Sequence, residues 1–100
     1  MLTDKEMEAI AKKYIDTEAE ETNLDLVLFL KHTIKKPYGN VYRYNSKKFI
    51  EEKDYDYALI GNGPFLVENS MGKIVQFGTG KTLEYFLTEY EEGRWPNNRK

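Results

Sequence analysis

Gly78-Thr79-Gly80-Lys81-Thr82 is the stretch whose residue types come nearest to known chemistry. An apolar strand run ends just before it and a helical pattern starts just after. Gly-Lys-Thr is also how a phosphate-binding loop ends. The full loop needs a glycine five positions ahead of Gly80, so that successive backbone N–H groups can wrap the phosphates. That position is Val75, inside the strand run. A strand exit remains, with Thr79 or Thr82 as the N-cap of the following helix. Gly61-Asn62-Gly63 is likewise too short for a dinucleotide fingerprint, which requires a helix after it. The apolar run Phe65-Leu66-Val67 follows instead, so the glycines read as a turn.

His32 is the sole histidine and there is no cysteine. A histidine base needs an orienting partner and a group to activate. Cysteine triads are excluded, and Ser46 and Ser70 both sit in turn-like contexts. One histidine among scattered carboxylates has no recognisable metal-ligand spacing. His32 therefore reads as structural or exposed, and neither cofactor nor metal is expected.

Ten of the 17 carboxylates fall in three runs: Glu18, Glu20 and Glu21; Glu51, Glu52, Asp54 and Asp56; and Glu89, Glu91 and Glu92. Acid–base work needs a cleft that separates the environments of two carboxyls, and polar runs supply none. A solvated surface is the plain reading. The middle run has a sharper one, because Tyr55 and Tyr57 interleave with Asp54 and Asp56. Tyrosine offers contact area and a hydroxyl, and carboxylates steer a basic partner. Glu51, Glu52, Asp54, Tyr55, Asp56 and Tyr57 are accordingly the candidate partner-binding residues.

The elements that must position them fit one domain over residues 1–100. A formal net charge of −2 gives no basic face for nucleic acid. The start, Met1-Leu-Thr-Asp-Lys-Glu, is charged at once, unlike a secretory signal. The longest apolar run, Leu26 to Leu30, falls far short of the roughly 20 residues that span a membrane. A soluble, cytoplasmic domain is expected.

Thr3 to about Asp16 predicts a helix. Thr3 and Glu6 form a capping box, and Met7, Ile10, Ala11 and Tyr14 form one apolar stripe. Thr17 to Asn23 reads as an acidic loop, Leu24 to about Ile34 as the longest strand, and Lys35 to Asn40 as a turn. Val41 to Asn45 reads as the next strand, with Tyr42 and Tyr44 inward and Arg43 outward. Ser46 caps a short helical turn, Lys47 to Glu52. Charged residues to Tyr57 follow, then a short strand to Ile60 and a corner at Gly61–Pro64.

Phe65 to Phe77 predicts a hairpin around Asn69-Ser70-Met71-Gly72, with Gly72 left-handed. The three-residue loop sets Val67 opposite Val75 and Phe65 opposite Phe77, all four on one face. Leu83, Phe86, Leu87 and Tyr90 give the stripe of a closing helix, ended by Gly93. Asn97 to Lys100 reads as a frayed tail. The fold class is α+β: an antiparallel, curled sheet of about five strands flanked by an N-terminal and a C-terminal helix, both on one face.

Val41-Tyr-Arg-Tyr-Asn-Ser-Lys-Lys-Phe-Ile, Leu59-Ile-Gly-Asn-Gly-Pro-Phe-Leu-Val, Gly72-Lys-Ile with Gly78-Thr-Gly, and the Leu83-Glu-Tyr-Phe-Leu helix resemble the immunity protein 35 family, also called the YrhB-domain family. The Gly-Asn-Gly-Pro corner with its apolar run is the most specific of these. The resemblance implies a small, non-catalytic bacterial protein. Such a protein binds the domain of a cognate toxin and blocks its active site. It also implies an alternative, a chaperone-like holdase for unfolded chains.

Overall fold

A computed structural model describes residues 1–58 and 63–96. Helix α1 is Asp4–Thr22. The capping box closes as its sequence requires: the Thr3 hydroxyl accepts from Glu6 N at 3.1 Å, and Thr3 N donates to Glu6 Oε1 at 2.9 Å. Met7, Ala11 and Ile15 are the buried stripe. The acidic loop expected over Thr17–Asn23 is instead the last turns of this helix. Its Glu and Ala residues are good helix formers, Ala19 packs on the core, and Asn23 ends the helix in the left-handed region.

The long strand expected from Leu24 to Ile34 is broken into β1 (Leu26–Leu28), a 3-10 turn (Leu30–His32) and β2 (Ile34–Lys36). The opposing arm is β3 (Gly39–Tyr42) and β4 (Tyr44–Ser46), so pairing starts within the expected turn. Leu28 lies opposite Tyr44, and Ile34 opposite Val41. Five residues therefore stand against two, and the surplus coils outward. This bulge bends the hairpin and separates a two-stranded sheet, β1–β4, from a four-stranded antiparallel one. Tyr42 and Tyr44 both face the core, and Arg43 is exposed.

Helix α2 is Lys47–Glu52, and a second 3-10 turn covers Tyr55–Tyr57. Tyr57 thus belongs to that turn rather than to a strand. The rest of the expected strand and corner, at 59–62, lies outside the described residues, as does the expected tail at 97–100. Strands β5 (Phe65–Glu68) and β6 (Ile74–Gln76) complete the larger sheet in the order β2-β3-β5-β6.

Their register differs by one residue from the expected one. Leu66 is opposite Val75, Val67 opposite Ile74, and Phe65 opposite Gln76. Glu68 N donates to Lys73 O at 2.9 Å, so the loop has four residues, and Gly72 takes φ 78° within it. A one-residue slip changes which side chains share a face. Phe65 and Val67 pack with α1. Leu66, Val75 and Phe77 pack with α3 (Leu83–Glu91).

The two long helices therefore cover opposite faces of the sheet, not one. An apolar run such as Phe65-Leu66-Val67 is what a strand covered on both faces needs. Thr82 caps α3, and Gly93 ends it with φ 79°, passing its N–H to Tyr90 O while Arg94 N reaches Glu89 O. Trp95 then folds back. Its ring packs against Phe86 with centroids 4.9 Å apart, and Nε1 donates to Gln76 O on edge strand β6 at 2.9 Å.

Candidate functional site

The six candidate residues lie on one continuous piece of chain whose start is firmly held. Ser46 is buried and accepts from Phe49 N at 3.1 Å, capping α2. Lys47 N donates to Asp25 O at 2.8 Å, which ties α2 to the entry of β1. Lys53 closes the helix in the left-handed region, φ 59°. Asp54 then serves the backbone: its Oδ1 accepts from Asp56 N at 3.1 Å and its carbonyl accepts from Tyr57 N. Within the candidate set Asp54 is thus a positioning residue, which its spacing already permits as a turn cap.

Tyr55 is 75% exposed, with one ring edge against Phe49 at 5.2 Å between centroids. Glu51, Glu52 and Asp56, close to it in sequence, are exposed too. Tyr57 is 40% exposed, and Lys48 Nζ sits 4.4 Å from its ring centre. Glu52 and Tyr57 also line an open cavity of about 370 Å³ with Asn23, Leu24, Asp25, Ser46, Lys47 and Lys48. Asn23, Asp25, Lys47 and Lys48 were not among the residues singled out from sequence. Only the pairing of β1 with β4 brings residues 23–25 beside α2, and no local pattern announces it.

A second polar cluster joins α1 to the sheet. Asp4 accepts from Lys35 Nζ at 2.6 Å and from Asn40 Nδ2 at 3.2 Å, and Asn40 also donates to Tyr42 Oη at 3.3 Å. The hydrogen bond from Lys35, then that from Asn40, holds the Asp4 carboxyl below its usual range. With Glu8, Leu30 and Thr33 these residues line a cavity of about 210 Å³. Asn40 is almost fully buried, so its bonds fix β3 against α1.

His32 is exposed and its ring lies tilted against Phe29 with centroids 4.2 Å apart. No three metal-ligating side chains meet among the described residues. Thr82, not Thr79, caps α3, and Lys81 Nζ lies 5.3 Å from the Tyr85 ring centre, along the helix. Among the described residues, no helix is long and apolar enough to cross a membrane.

Over 91 residues the chain is 31% identical to the uncharacterized protein YrhB of Escherichia coli (strain K12), an alignment covering 91% of this chain and 90% of that one. No family model matches the chain, and no solved structure does.

Proposed function

The chain belongs to the YrhB family, and from that premise we propose a non-catalytic, cytoplasmic immunity protein that binds a cognate bacterial toxin domain and blocks its active site. The carrying observation is Tyr55, a large aromatic side chain held 75% exposed on a turn, with Glu51, Glu52 and Asp56 exposed on the same short piece of chain. Rigid tyrosines bury much area at little entropic cost, and nearby carboxylates speed and orient a basic partner. The toxin itself enters through the resemblance to immunity protein 35.

A pull-down with the tagged chain from the cytosol of its own bacterium, followed by titration of what is recovered, tests this. One stoichiometric partner is expected, bound at nanomolar affinity and weakened at least about tenfold by Tyr55→Ala with Asp56→Lys. Many substoichiometric partners that increase with heat stress would sink the dedicated-inhibitor reading and point to the holdase.

A further inference from the structure

Among the described residues, one buried side-chain polar atom has no hydrogen-bond partner, and it is Thr33 Oγ1. Buried hydroxyls are nearly always bonded, because leaving one unmade costs its desolvation. Thr33 stands between the outward 3-10 turn and β2, and it lines the cavity of about 210 Å³ that Asp4, Glu8, Leu30, Lys35, Asn40 and Tyr42 also line. A second hydroxyl in the same wall is half used. Tyr42 is only 2% exposed, and its Oη accepts from Asn40 Nδ2 at 3.3 Å. A phenol can also donate, and among the described residues the Tyr42 O–H meets no acceptor.

The charges of the lining are already matched. Asp4 holds Lys35 at 2.6 Å, and Glu8 holds Lys12 at 3.5 Å. An added ion of either sign would find no unpaired opposite charge there, and a desolvated ion needs one. Both carboxylates still keep lone pairs, since each has about four acceptor sites. Acceptors therefore come from α1 and spare hydroxyls from the sheet side, while Leu30, 47% exposed, supplies an apolar lip.

We propose that this cavity takes a carboxamide side chain, asparagine or glutamine, from the protein partner. Its carbonyl accepts from the Tyr42 hydroxyl, its NH2 donates to Glu8, and its methylenes lie on Leu30. Thr33 turns from one staggered well to the next and donates to the same carbonyl. A carboxamide carries acceptor and donors on separate atoms of one uncharged plane, whereas a hydroxyl has a single atom for both roles. The inference rests on the immunity reading for its partner and on the cavity alone for its chemistry.

A titration of the full chain with N-acetyl-glutamine methylamide, followed by NMR of the Tyr42 ring and the Leu30 methyls, tests the chemistry without any toxin. Saturable shifts at both are expected. N-acetyl-norvaline methylamide, which has the same backbone amides and no carboxamide, should give none. Tyr42→Phe keeps the ring and removes the donor, and should weaken binding about three- to tenfold. Thr33→Val should weaken it too, yet leave the urea midpoint of the free chain unchanged or raised, because the hydroxyl it removes is unbonded. A lowered midpoint would mean that this hydroxyl is already satisfied without a ligand, and would overturn the inference. So would equal shifts with the norvaline probe, or binding indifferent to Tyr42→Phe. A toxin captured at an affinity that Tyr42→Phe does not change would strike this inference and leave the immunity reading standing. Carboxamide binding with no stoichiometric partner recovered would strike the immunity reading alone.

Discussion

At the scale of single residues, two glycines are required on different grounds, Gly39 by close approach together with its φ of 156° and Gly93 by conformation alone. A Cβ on Gly39 would lie 2.2 Å from Val67 O, inside the β3–β5 ladder, where neither backbone can retreat without loss of pairing. Gly39→Ala should cost on the order of 3 kcal/mol in urea unfolding, as backbone clashes in a ladder do. Gly93 has open space around it and only its φ of 79° to lose, so Gly93→Ala should cost about 1 kcal/mol. A Gly39 variant as stable as the parent would refute the close approach of β3 to β5. Tyr55→Ala should do the reverse: within about 0.5 kcal/mol of the parent in stability, as surface changes usually are, yet impaired in partner binding. The alternation of tyrosine with carboxylate over residues 54–57 was legible because it is local. The rest of the site was not, since Asp25 and Lys48 meet through a strand pairing that their own neighbourhoods do not encode.

At the scale of elements, the parts with local punctuation were legible. The Thr3–Glu6 box, the Ser46 cap, the α3 stripe and Gly93 each satisfy backbone groups within a few residues, so sequence suffices to place them. Two kinds of information were missing. Phe65-Leu66-Val67 is apolar on both sides, so periodicity cannot choose between neighbouring registers, and turn residues compatible with three- and four-residue loops do not decide it. The break after Leu28 was also hidden, because alternating leucines continue to Leu30, which the bulge leaves 47% exposed. With one helix on each face, both layers should matter to the same cooperative unit. Ala11 is fully buried against the sheet, and Ala11→Leu should destabilise by about 1–3 kcal/mol through overpacking. Leu87→Ala, on the opposite face, should cost about 2–5 kcal/mol. Each is expected to shift one shared transition in denaturant; a separate transition for α3 would show that the faces fold independently.

At the scale of the whole molecule, burial of phenols gives stability an upper pH limit. Tyr14, Tyr38, Tyr42, Tyr44 and Tyr90 all have their ionisation pushed up, in each case chiefly by burial, Tyr44 to about 12. Tyr38 and Tyr90 also donate to Glu91 and Glu68, so losing their protons would set like charges together. A group whose folded pKa is raised contributes stability that is complete below its ordinary value, 10.0 here, and is lost as pH rises through the folded value. Tyrosinate absorbance and helical circular dichroism should therefore change together between about pH 10 and 12. Ionisation of these five at the ordinary value with the fold intact would contradict the packing described. The tie from Trp95 to the β6 edge carries a different consequence. It is the chain's one indole, wedged at Phe86 and bonded to Gln76, on the α3 face rather than beside the Tyr57 cavity. Its emission is thus a native optical gauge of whether that sheet edge is shut, and a spectroscopist following it would time the docking of the C-terminal layer.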